Sequence, residues 1–238
     1  MAIVGSPMTT KPQDLGGESS ATLLKQDESI LIRELFSSVR YGMKAQVAAF
    51  LSNYPQLANL TDNQGFTCVH WASKNGDREM LKILADAGAS LDQRTVSEAK
   101  MMPIHWAASD GKISSLSFFL ERRQDINAQD ANGCTPVIIA AQHNQLDCVI
   151  YLIKNGADTT LRDTNGDNAL HWGAYKGYVE MVGLLTYLLP HELDSEDIFG
   201  QVYHVCGQIT PVAISIFHFS LLLCRLLCIL VRYEGMLM

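Results

Sequence analysis

The chain has 238 residues, with 18 Lys+Arg against 25 Asp+Glu and a formal net charge of −7. That balance, with no Lys/Arg run longer than two, argues against nucleic-acid binding, which needs clustered positive charge. Hydrophobic residues at 47% and charged residues at 18% exclude wholesale disorder, and the length suits one or two domains with full-sized cores. Six cysteines, Cys68, Cys134, Cys148, Cys206, Cys224 and Cys228, contain no Cys-x-x-Cys pair. Neither a zinc ribbon nor a thioredoxin-type centre is therefore expected, and reduced, cytosol-facing thiols are the default.

Residues 1–26 open without the basic and apolar stretches of a signal peptide and are rich in Gly, Ser, Thr, Pro and Gln. They read as a disordered lead-in, with too little apolar area to offset the entropy of ordering. Two amphipathic helices are then expected, Leu31 to Val39 and Ala45 to Leu51. They begin a repetitive region running to about residue 200.

Four copies of a short phrase mark that region: Gly65-Phe66-Thr67-Cys68-Val69-His70-Trp71-Ala72, Met102-Pro103-Ile104-His105-Trp106-Ala107-Ala108, Gly133-Cys134-Thr135-Pro136-Val137-Ile138-Ile139-Ala140-Ala141, and Gly166-Asp167-Asn168-Ala169-Leu170-His171-Trp172-Gly173-Ala174. The equivalent positions His70, His105, Ile138 and His171 are 35, 33 and 33 residues apart. A second phrase, Ala87-Gly88-Ala89 and Asn155-Gly156-Ala157-Asp158, follows downstream. A period near 33 carrying both phrases resembles the ankyrin repeat. The resemblance implies an all-α solenoid of about five helix-turn-helix repeats joined by β-hairpin loops, over residues 27–200.

The chemistry of the phrase agrees. Thr135 suits a helix N-cap, and Pro136 the first helical position, where a missing N–H costs nothing. Gly76, Gly111 and Gly177 suit the left-handed stop between paired helices, and Asn144 takes that place in one repeat. Thr95 to Lys100 replace the usual Asp-x-x-Gly turn, so an irregular hairpin is expected there. The first unit, lacking the phrase, reads as a capping repeat.

His70, His105 and His171 superficially resemble a ligand set. Equivalent positions in stacked repeats lie roughly 10 Å apart, too far for a shared zinc whose nitrogen ligands sit about 2 Å from the metal. No metal or cofactor site is expected, and each imidazole is read as bonding backbone across its repeat. All three tryptophans, Trp71, Trp106 and Trp172, directly follow those histidines. In the ankyrin pattern that slot faces the groove, so an aromatic ladder for a protein or peptide partner is expected, against the alternative that each indole only fills space on its own hairpin. Asn75, Asp110, Tyr175 and Lys176 end first helices beside it, and the hairpin tips Asn63, Gln64, Ala131, Asn132, Thr164 and Asn165 form a second candidate surface. No catalytic constellation occurs: there is no Gly-x-Ser-x-Gly, phosphate loop or His-Glu-x-x-His.

Residues 201–238 form an apolar tail. Ile209 to Val231 would make a helix about 35 Å long, enough for roughly 30 Å of hydrocarbon, with Arg225 its one charged side chain. A transmembrane helix is expected, with the repeats facing the cytosol. The alternative is a cytoplasmic protein whose tail is a truncation or splicing product, because Asp197-Ile198-Phe199-Gly200-Gln201 opens a further repeat that Val202-Tyr203-His204 does not continue.

The His-Trp-Ala-Ala variant followed by an apolar segment resembles one group of ankyrin proteins, the ankyrin-containing Asp-His-His-Cys protein S-acyltransferases. That resemblance implies an ankyrin block that recruits substrates through short Val/Ile- and Pro-containing peptides. It also implies a recognition pair matching Trp106 and Asn75. No Asp-His-His-Cys occurs in this sequence, so the expected function is a protein-interaction module. The alternative is the recruiting part of a palmitoyltransferase whose catalytic domain is not in this chain.

Overall fold

A computed structural model describes residues 20–188, as ten α-helices and one 3-10 turn among the described residues. The helices are α1 (Ser20–Arg40), α2 (Lys44–Asn53), α3 (Cys68–Asn75), α4 (Arg78–Asp86), α5 (Pro103–Ser109), α6 (Ile113–Glu121), α7 (Pro136–Gln142), α8 (Leu146–Lys154), α9 (Ala169–Lys176) and α10 (Val179–Leu188). Consecutive pairs make five antiparallel repeats. First helices stack as α1, α3, α5, α7 and α9, and second helices as α2, α4, α6 and α8. The first helix begins at Ser20 rather than at the expected Leu31. The expected apolar span Ile209 to Val231 lies outside the described residues, and no described helix is long and apolar enough to cross a membrane.

Local chemistry fixes each first helix. Thr67 and Thr135 cap α3 and α7 by accepting from the N–H of His70 and Ile138, and Asn168 caps α9 from His171. Pro103 and Pro136 occupy first-turn positions where no N–H is required. The four stops behave as the sequence predicts: Gly76, Gly111 and Gly177 have φ of 74°, 70° and 70°, and Asn144 has φ 56°. Asparagine tolerates this left-handed region better than most side chains.

The loops close as hairpins, yet no strand forms among the described residues, where Thr61–Thr67 is an isolated β-bridge. Asp62, Asp130 and Asp163 each donate their backbone N–H four residues ahead, to the carbonyls of Phe66, Cys134 and Asp167. Adjacent hairpins are joined by Ala131 N–H to Ala99 O and Thr164 N–H to Asn132 O, both 2.8 Å. The hairpin of the third repeat is irregular, as expected: Thr95 stands where the others have Asp, Lys100 has φ 45°, and two extra residues precede the helix.

The core runs between the helix layers. Met80, Leu81 and Leu84 of α4, Leu116 and Phe119 of α6, Val149 and Leu152 of α8, and Met181 and Leu185 of α10 are fully buried. Each large side chain contributes roughly 1.5–3 kcal/mol by leaving water, and that burial exists only because neighbouring repeats cover it.

Candidate partner-binding groove

The histidines are structural latches. Thr67 donates its N–H to His70 Nδ1 (3.1 Å), which fixes the neutral tautomer with its proton on Nε2. That Nε2–H donates to Met101 O in the next hairpin at 3.2 Å. His105 repeats the pattern, accepting from Met102 N–H and donating to Ala128 O at 2.9 Å. Burial pushes the His70 imidazole down to about 4, against a smaller opposing effect from the Met101 carbonyl. Burial likewise lowers His105. No group of three or more metal-ligating side chains occurs among the described residues.

The tryptophan row is not uniform. In register it reads Trp71, Trp106, Ile139, Trp172, and Ile139 is 4% exposed. Trp71 donates its indole Nε1–H to Asp62 Oδ2 (3.0 Å), and Trp172 donates to Asp163 Oδ2 (2.8 Å). These two indoles are tied to their own hairpins by charge-assisted bonds. Trp106 has no such acceptor, because Thr95 replaces the aspartate of its hairpin, and its Nε1–H has no partner among the described residues. Its ring instead belongs to an aromatic cluster: Phe66 at 4.5 Å between centroids, His70 at 5.6 Å and Trp71 at 5.8 Å, all edge-on.

Cations border that cluster. The Arg40 guanidinium lies 3.7 Å over the Trp71 ring, and Lys74 Nζ sits 5.8 Å from Trp71 and 5.5 Å from Trp106. Asn75 is exposed and donates Nδ2 to Arg40 O (3.2 Å), so its donor half is occupied at the end of α1 while Oδ1 has no partner among the described residues. At the other end Tyr175 is 65% exposed and meets Trp172 edge-on at 5.8 Å. Asp110 ends α5 and is partly exposed. The tips Asn63, Gln64, Ala131, Asn132, Thr164 and Asn165 are exposed.

Sequence reasoning did not single out Phe66 or Arg40. Phe66 precedes the capping threonine, a place that Met101, Cys134 and Asp167 hold in the other repeats, so its aromaticity was a detectable departure. Arg40 belongs to the degenerate first repeat, where no phrase fixes the register. A third feature also went unnoticed. A cavity of about 520 Å³ opens where two hairpins meet α7 and α9, lined among others by Asp130, Ile139, Gln142, His143, Asp163 and Trp172. The buried thiols offer no chemistry: burial pushes Cys68 and Cys134 up to about 12 and Cys148 up to about 11.

Two family matches cover the repeats, three copies of ankyrin repeats at residues 104–197 and one ankyrin repeat at residues 64–96. A palmitoyltransferase of Drosophila melanogaster is 30% identical over 203 residues, which is 71% of this chain and 32% of that protein. A transient receptor potential cation channel of subfamily A from Homo sapiens is 31% identical over 150 residues, 61% of this chain and 13% of that protein. An E3 ubiquitin-protein ligase of Oryza sativa subsp. japonica is 34% identical over 93 residues, 39% of this chain and 21% of that protein. The chain thus spans no more than a third of these relatives, and the palmitoyltransferase match bears out the resemblance to the ankyrin block of S-acyltransferases. The chain belongs to the ankyrin-repeat family, and its repeats are a protein-interaction module.

Proposed function

We propose that the groove binds an extended segment of a partner protein, with Trp106 and Asn75 at the centre of the contact. The observation that carries this is the unpartnered Trp106 Nε1–H beside an aromatic cluster, one repeat from the unpartnered Asn75 Oδ1. A peptide carbonyl can accept from the indole and a peptide N–H can donate to the amide oxygen, while an apolar side chain packs among Phe66, Trp71 and Trp106. Asp110, Tyr175 and the exposed tips extend the contact surface along the groove. Recruitment of S-acyltransferase substrates is the finer form of this proposal, motivated by the palmitoyltransferase match. In that form the tail would anchor the module to a membrane with its repeats in the cytosol.

The test is fluorescence polarisation with a labelled short peptide containing Val/Ile and Pro. Trp106→Ala should weaken binding at least tenfold, about 1.4 kcal/mol. Unchanged affinity with a lower melting temperature would make the indole a packing residue and overturn the proposal. Flotation of the full chain with phospholipid vesicles, compared with a chain ending at residue 201, tests the tail.

A further inference from the structure

The cavity between the hairpins of the fourth and fifth repeats has a chemistry distinct from that of the Trp106 cluster. Asp130 and Asp163 open their hairpins in the same way: each Oδ1 accepts two backbone N–H groups, from Asn132 and Cys134 and from Asn165 and Asp167 respectively. Their second oxygens differ. Asp163 Oδ2 accepts the Trp172 indole N–H at 2.8 Å. The residue equivalent to that tryptophan in the Asp130 repeat is Ile139, which has no donor to offer. Asp130 is 8% exposed, yet among the described residues its Oδ2 has no hydrogen-bond or ion-pair partner. That oxygen is not a buried orphan; it keeps contact with solvent and is free to accept from a group that enters the cavity it lines.

The cavity that Asp130 lines explains the vacancy. Its lining contains both carboxylates, no lysine and no arginine; the exposed His143 is the one lining group able to carry a positive charge. Trp172 supplies an aromatic wall and Ile139 an apolar one, with the Gln142 amide beside them. Lys176 Nζ reaches to 5.9 Å from the Trp172 ring but is not part of the lining.

We infer that this cavity is a subsite for a cationic side chain, an arginine guanidinium, presented by a protein partner. The guanidinium donates an N–H to Asp130 Oδ2 and stacks on Trp172, while its methylene stem packs on Ile139. Arginine fits better than lysine because its planar, weakly hydrated head combines stacking with directed donation. The cavity lies one repeat beyond Trp106, roughly 10 Å away, a distance that about three residues of extended chain cover. The subsite stands independently of the Trp106 proposal, since a free arginine derivative can probe it without any peptide.

The experiment is a titration of the ¹⁵N-labelled full chain with N-acetyl-arginine amide at pH 7 and fixed ionic strength, followed at the indole Nε1–H signals. Trp→Phe variants assign those three signals. The Trp172 signal should shift saturably, with half-saturation on the order of 10 mM or tighter, while the Trp71 signal stays in place. N-acetyl-citrulline amide, isosteric and neutral, should bind at least fivefold more weakly. Asp130→Asn keeps the Oδ1 acceptor of the turn and converts the vacant oxygen to a donor, so it should cost at least fivefold for arginine with the remaining spectrum intact. Absence of saturation, or equal responses to arginine and citrulline, would overturn the inference, and the citrulline comparison needs no variant to fold.

Discussion

Trp71 donates its indole N–H to Asp62 at 3.0 Å, whereas Trp106, at the equivalent position one repeat later, has no carboxylate among the described residues to receive its own. The difference comes from one hairpin residue, Thr95 standing where Asp62 stands. It divides three tryptophans with the same sequence context into two whose indole N–H groups are tied to their own hairpins and one whose N–H has no partner among the described residues.

Replacing each tryptophan with phenylalanine isolates the indole N–H. Trp71→Phe and Trp172→Phe remove a bond to a carboxylate and should each cost about 1–2 kcal/mol, a fall in Tm of roughly 3–6 °C. Trp106→Phe removes an N–H that bonds nothing among the described residues, so its Tm should stay within about 2 °C of wild type. Equal losses at all three positions in thermal melts followed by circular dichroism would contradict this assignment.

Acid should weaken the solenoid through its latches. The folded His70 imidazole titrates near 4 rather than 6.5 because it is buried, and the tautomer set by Thr67 leaves Nδ1 as an acceptor that protonation would destroy. A depressed histidine favours the folded state above its unfolded pKa, and that stability is lost as pH falls from about 6.5 toward 4. The shift corresponds to on the order of 3 kcal/mol, and His105 adds to it in the same direction. Melting temperature across pH 4–7 should therefore fall less steeply in His70→Gln than in wild type. Parallel curves would mean that carboxylates alone carry the acid sensitivity.

Buried thiols should be inert. At pH 8, Cys68, Cys134 and Cys148 should react with iodoacetamide at least a hundredfold more slowly in the folded chain than in urea, since only the thiolate attacks. Peptide mapping by mass spectrometry separates them from the remaining cysteines. Rapid native labelling at any of the three would show that its repeat opens locally.

The left-handed stops differ in tolerance. Asn144→Ala should destabilise by about 1 kcal/mol because alanine tolerates a left-handed φ of 56° less readily than asparagine does, whereas Asn144→Gly should not. Gly111→Ala should cost more, since a Cβ there would collide with the Gln145 amide, which donates to Ser109 O. Urea denaturation of the three variants gives the order.

Period, caps and stops were legible in the sequence because each depends on residues within one repeat. The 33-residue spacing gave the solenoid. The capping Thr67, Thr135 and Asn168 set where first helices begin, and Gly76, Gly111, Asn144 and Gly177 set where they end. Even the histidine latches followed, since equivalent positions in stacked units cannot share a metal. The start of α1 at Ser20 did not follow, because that repeat lacks the phrase that fixes register.

Which polar groups would be left without partners was decided by the tertiary structure. An indole nine residues after an aspartate reaches it only when the hairpin folds back against its helix, so a list of tryptophans could not separate Trp106 from Trp71 and Trp172. Thr95 for Asp and Ile139 for Trp are unremarkable substitutions along the chain. In the folded stack they leave one donor and one carboxylate oxygen without a partner among the described residues, on neighbouring repeats, because hydrogen-bond satisfaction is a property of three-dimensional neighbours rather than of composition.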